Sequence, residues 1–173
     1  MRALDLPGWC IGAGVLRNLV WDWLHGYAKP SDLADVDVAY CDPTDVRAER
    51  DHALQDQLLR QCPDVPWEVT NQAGVHLWFE RYFGQPVEPL TSIEEAVSMW
   101  PETATSVAVR MLPDESIYVI ALFGLDDLFQ MIVRRNPRRV SVETYSKRIV
   151  EKRYIQRWPR VRIMSSEEAG EVI

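Results

Sequence analysis

Between Trp9 and Tyr40 the hydrophobic pattern changes period twice, and this constrains the fold more than any other stretch. Gly8-Trp9-Cys10-Ile11 reads as a short buried strand that ends at Gly12-Ala13-Gly14. Val15, Leu16, Leu19, Val20, Trp23 and Leu24 then recur at the spacing of an amphipathic helix, with Gly26 as its terminator. After a loop over Pro30–Ala34, residues 35–41 return to a period of two and predict a second strand. Successive strand side chains point to opposite faces, so Val36 and Val38 share one face and Asp35 and Asp37 the other. Two carboxylates on one face repel each other unless they face water or something positive lies between them.

Downstream, a helix is expected over 44–61, with Val46, Ala53, Leu54 and Leu58 inward, and a strand over Trp67–Asn71. Thr91 and Ser92, three residues ahead of Glu94 and Glu95, form a capping box for a helix reaching Trp100 and stopped by Pro101. The runs 107–111 and 117–123 flank the turn Pro113-Asp114-Glu115 as a hairpin. A helix over 125–133 and a basic helix over 142–157, capped by Ser141, complete the pattern. The fold class expected is α/β (α+β): one domain over residues 1–164, a mixed sheet flanked by helices, and a basic helical segment over 134–163. The tail over 165–173 is expected to be flexible.

A chain of 173 residues suits one such domain. No window approaches about 18 continuous apolar residues, so no membrane partner is expected. Cys10, Cys41 and Cys62 are odd in number and lack C-x-x-C spacing, which fits the reducing cytoplasm and argues against a disulfide framework or a zinc site. Charge is unevenly spread. Arg134 to Met164 holds eleven Lys or Arg against Glu143 and Glu151, on a chain of net charge −7. Such a segment suits phosphates or nucleic acid, or is simply a solvated helix face.

Several chemistries can be weighed on spacing. A dinucleotide fingerprint fails at its third glycine, which is Arg17, and gives no role to Asp37. A Walker A loop fails because no Gly-Lys-Ser/Thr follows. An aspartyl nucleophile belongs at the end of an apolar strand, whereas Asp35 and Asp37 open theirs. The glycine turn suits either close packing or a phosphate held on the amino end of the next helix. Taken with Glu68, flanked by apolar Trp67 and Val69 on the next strand, the acids form a set of oxygen ligands for magnesium. Two such ions can stabilise the attacking and leaving oxygens of an in-line phosphoryl displacement.

The order Gly-Ala-Gly and helix, Asp-x-Asp, then a strand acid resembles the nucleotidyltransferase superfamily, whose fold is like the polymerase β palm. More closely, the chain resembles a bacterial nucleotidyltransferase-like family. The likeness runs through WCIGAGVLRNLVWDWLHGY, DVDVAYCD, WEVTNQAGVHLW, SIEEAVSMWPETATSVAVRM, FGLDDLFQMIVRRNP and QRWPRV, nearly the whole chain. It implies that Asp35, Asp37 and Glu68 are catalytic and hold two Mg²⁺ or Mn²⁺ ions. Gly12, Ala13, Gly14, Val15 and Arg17 would receive the triphosphate, with Lys147 and Arg148 in support. The turn lacks the serine of the commoner Gly-Ser pattern, so backbone amides or Arg17 must replace its hydroxyl. The implied partners are a nucleoside triphosphate and an acceptor hydroxyl on RNA, protein or a small molecule. The alternative is a non-catalytic nucleotide- or RNA-binding module of the same fold. Asn71 and Gln72 are read either as base or ribose contacts or as a strand cap, and His76 as a satisfied core residue.

Overall fold

The computed structural model describes residue 4 and residues 6–165, so the expected tail lies outside the described residues beyond residue 165. β1 (Cys10–Gly12), β2 (Val36–Tyr40), β3 (Trp67–Asn71), β4 (Ala108–Met111) and β5 (Ile117–Ile120) form one mixed sheet in the order β3-β2-β1-β4-β5. β2 and β3 run parallel, and the other neighbours are antiparallel. The parallel pair is joined by α2 (Ala48–Gln61), as a crossover between parallel strands requires. Alternation divides β2 as expected. Val38 and Tyr40 pack with Leu58 of α2 and Val69, while Ala39 joins Cys10 and Ala108 in a core on the other face.

That second face is covered by α3 (His76–Phe83) and α4 (Ile93–Ser98). The Ser92 side chain caps α4 by accepting from the Glu95 amide, and Glu95 reaches back to the Thr91 amide. The helix α3 was not expected. Its apolar residues are interrupted by Glu80 and Arg81, and only Phe79 is buried while Leu77, Trp78, Tyr82 and Phe83 are exposed. His76 is half-buried, and its Nδ1 lacks a hydrogen-bond partner, contrary to the satisfied core residue expected.

A third core joins α1 (Gly14–His25) to the C-terminal segment through Trp21, Val133, Tyr145, Tyr154 and Trp158. Here the sequence reading needs two corrections. The helix expected over 125–133 is only α5 (Asp126–Phe129), because Met131 takes a left-handed φ of 57°. Ile132–Val133 then form β6, which pairs in parallel with β7 (Arg162–Ile163) as a second small sheet. The expected basic helix is two, α6 (Val142–Lys152) and α7 (Tyr154–Arg157), separated at Arg153 with φ 52°. A left-handed arginine costs about 1 kcal/mol. The turn lets Tyr154 and Trp158 bury fully beside Trp21, and Trp158 Nε1 donate to Asp22 Oδ1 at 2.7 Å. Burial of two such rings outweighs the strain. Among the described residues no helix is long and apolar enough to cross a membrane.

The glycine turn behaves differently from its composition. Gly12 has no room: a Cβ there would lie 2.6 Å from the Trp100 ring and 2.8 Å from Ala108 Cβ. The strained residue is Ala13, at φ 55° and ψ −123°, a region that favours glycine. Its amide donates to the Val107 carbonyl at 3.0 Å, which ties the turn to the start of β4. Gly12→Ala is therefore expected to lower stability by about 1–3 kcal/mol through overpacking. Ala13→Gly is expected to be neutral or to gain about 1 kcal/mol. Urea denaturation of the two variants checks both signs.

Candidate active site

A cavity of about 270 Å³ opens on the face of β1, β2 and β3 opposite α2, beside the start of α1. Register places its centre. Gly12 faces Asp37 across β1–β2, and Asp37 faces Glu68 across β2–β3. The three positions form one row across adjacent strands, with the Trp100 ring laid against Gly12. Asp35 precedes β2 by one residue and also lines the cavity.

Gly14 stands at the other side of this row. A Cβ on it would lie 3.8 Å from Asp35 Oδ1 and 3.7 Å from Arg17 Nη2, so its lack of a side chain keeps the helix amino end open beside the aspartates. The first amides of α1 have no carbonyl one turn earlier and are free to bind an anion. Val15 follows in that turn and does not line the cavity. Arg17 is buried at 4% exposure among the rings of Trp21, Tyr154 and Trp158, and its Nη2 donates to Asn18 Oδ1 at 2.8 Å. Its Nε is buried without a partner, and the residue reaches the cavity wall.

Electrostatics mark Asp37 as the unsettled group. Burial, then the charges of Asp35 and Glu68, push its carboxyl up to about 6, against the opposing pull of Lys152 and Arg148. Three oxygen-donor carboxylates lining one cavity suit a hard divalent cation. Among the described residues no three His, Cys, Asp or Glu side chains converge closely enough to hold a metal ion together. A magnesium ion typically takes one or two carboxylates and completes its shell with water and phosphate oxygens, so Asp35 and Asp37 fit that pattern.

Two cations of α6 reach the cavity, Arg148 and Lys152. Arg148 is committed to a partner that sequence reading missed: its guanidinium donates to both carboxylate oxygens of Glu102, at 2.7 and 3.2 Å. Glu102 is 1% exposed. Burial alone would raise its carboxyl, but the Arg148 charge and hydrogen bonds, with the Thr105 hydroxyl, hold it below the usual glutamate range. Lys147 does not join the site. It pairs with Glu143 one helical turn away, on the exposed side of α6.

Asn71 is a cap: its Oδ1 accepts from the Asp42 and Ala73 amides, and its Nδ2 donates to the Asp42 and Asp45 carbonyls. Gln72 does line the cavity. Trp100 and Thr105 also line it, and the only sequence feature near them was the helix stop at Pro101.

The pattern of a nucleotidyltransferase family matches residues 1–163. The chain belongs to that family. Its role is nucleotidyl transfer, and it is an enzyme of that class. A solution NMR structure described as revealing a CCA-adding enzyme head domain is 27% identical, with a TM-score of 0.79 over 95% of this nucleotidyltransferase and 85% of that chain. The Thermotoga maritima CCA-adding enzyme complexed with tRNA shares 14% identity and a TM-score of 0.55, over 96% of this chain and 37% of that one. A CCA-adding enzyme with CTP is similar at 14% identity and a TM-score of 0.56, over 96% and 38%. These two distant likenesses bear on the fold alone, and this nucleotidyltransferase spans under half the length of either enzyme. No curated protein matches it in sequence.

Proposed function

We propose that this nucleotidyltransferase moves a nucleoside monophosphate from a nucleoside triphosphate to an acceptor hydroxyl, with a divalent cation and release of pyrophosphate. The observation that carries the reading is the single row of Gly12, Asp37 and Glu68 across three adjacent strands, next to the amino end of α1. Asp35 and Asp37, with Glu68 beside them, would hold two Mg²⁺ or Mn²⁺ ions. Bound there, the metal supplies charge neutralisation for the phosphoryl oxygens. The chain's own residues do the rest. Amides of Gly14 and Val15 and the Arg17 guanidinium receive the triphosphate, in place of the hydroxyl that a serine in the turn would offer. Lys152 and Arg148 add positive charge from the opposite wall. Glu68 accepts the proton of the incoming hydroxyl. Membership of a nucleotidyltransferase family supports a nucleotide donor here.

Calorimetric titration of each ribonucleoside triphosphate, with Mg²⁺ or with EDTA, tests the donor and the cation. Binding is expected to need the cation and to weaken at least about tenfold in Asp35→Asn. Equal affinity in EDTA and in the variant would instead favour a nucleotide- or RNA-binding module of the same fold.

A further inference from the structure

A second cavity, of about 290 Å³, opens on the same face of the sheet beyond β3. It shares Glu68, Thr70, Gln72, Trp100, Pro101 and Arg148 with the first, so the two meet along Glu68. Its further walls are of another character: Val75, Trp78, Phe79, Phe83 and Met99, with Arg139 at the edge. The volume lies at the small end of ligand pockets and has room for a one- or two-ring molecule.

Where this cavity lies assigns it a part in the transfer, and the assignment rests on the reading given above. In-line displacement puts the attacking and leaving oxygens on opposite sides of the α-phosphorus. The triphosphate-binding turn is on the β1 side of Asp37, and Glu68 is on the β3 side. Pyrophosphate therefore departs toward Gly14 and Arg17, and the attacking hydroxyl comes from the second cavity.

We propose that this cavity is the acceptor subsite, and that its acceptor is a small planar molecule bearing a hydroxyl and an anionic group rather than the end of an RNA chain. The acceptor oxygen bonds to the α-phosphorus as the bond to the bridging oxygen of pyrophosphate breaks, and the hydroxyl proton passes to the Glu68 carboxylate. Flat walls of Trp78, Phe79 and Phe83 suit an aromatic ring.

The anionic group follows from Arg139. Its guanidinium lies over the Phe79 ring, 5.1 Å from the centroid, and the carboxylate whose charge reaches it, Glu95, is beyond ion-pair distance and accepts instead from the Thr91 amide and hydroxyl. Burial lowers its pKa, yet an arginine so placed stays charged and wants an anion.

The same segment argues against RNA. Of the basic residues between Arg134 and Met164 only Arg139 and Arg148 line this cavity, and Arg148 is held by Glu102. A groove that tracks a phosphate backbone needs several unpaired cations along its length.

The test is protein-observed NMR with two probes that differ only in charge, 4-hydroxyphenylacetate and 4-hydroxyphenylacetamide, beside a short RNA ending in a free 3′ hydroxyl. The acid is expected to bind about tenfold tighter than the amide, with shifts at Trp78 and Trp100. Arg139→Gln should erase that preference and keep the amide's affinity, while Trp78→Ala weakens both probes. Equal affinity for acid and amide, no shift at either tryptophan, or a preference that survives Arg139→Gln would overturn the subsite. Tighter binding of the RNA at these tryptophans would replace the small acceptor with a nucleic acid. Probe binding does not require a nucleotide, so loss of this subsite and loss of the transfer reading are separate results.

Discussion

Asp37→Asn is expected to lower nucleotidyl transfer about a thousandfold or more while raising the melting temperature of the metal-free protein. The first effect follows from losing a carboxylate at the centre of the row, where a cation held as proposed would supply several kcal/mol of transition-state stabilisation. The second follows from electrostatics. Asp37 is half-buried between the like charges of Asp35 and Glu68, and an amide of the same shape relieves that repulsion. Relief of about 1 kcal/mol corresponds to roughly 2–4 °C in Tm for a chain of this size. Added Mg²⁺ should then raise the Tm of the wild type more than that of the variant. Calorimetry with and without the ion, set beside initial rates, checks the pair of signs. A variant that loses activity because it unfolds would show the opposite shift in Tm.

The second large effect concerns the buried pair. Arg148→Met leaves Glu102, 1% exposed, as an uncompensated interior charge, and the expected cost is about 3–5 kcal/mol. Replacing both partners, Glu102→Gln with Arg148→Met, should recover most of that loss, because no bare charge remains. A denaturant-based double-mutant cycle reads this coupling. The pair also predicts a pH dependence. The folded Glu102 carboxyl is held low, so its contribution is present above the unfolded glutamate pKa of about 4.3 and is lost as pH falls through the depressed folded value. The acid-side fall in stability should therefore be shallower in the doubly substituted protein.

Much of the site was legible because its parts are local. The change of period over residues 9–40 located β1, the glycine turn, α1 and β2, and the two-residue alternation put Asp35 and Asp37 on one face. Glu68 was legible as a polar residue between apolar neighbours one strand later. What was hidden depends on partners distant in sequence. Glu102 gives no local sign of burial, yet it decides that Arg148 is a paired residue before it is a ligand for phosphate. The basic segment read as a continuous helix because nothing local announces a left-handed Arg153; the turn is enforced by Trp21, in a helix far upstream. Ile132 and Val133 continued an apolar run that fits helix or buried strand equally, and only the pairing with Arg162 and Ile163 decides it. In the glycine turn the residue under conformational strain is Ala13, while Gly12 is required by the Trp100 ring. Composition alone suggests the reverse.

The central claim is a transfer that leaves the α-phosphate on the acceptor. Its most direct test uses one ribonucleoside triphosphate in two forms, labelled at the α- or the γ-phosphate, with Mg²⁺ and a small-molecule extract from cells. The account predicts that α-label enters a new product, that γ-label appears only in pyrophosphate, and that both require the divalent ion and Asp37. Label from the γ-position in the product, or turnover that is unchanged in Asp37→Asn, would contradict it.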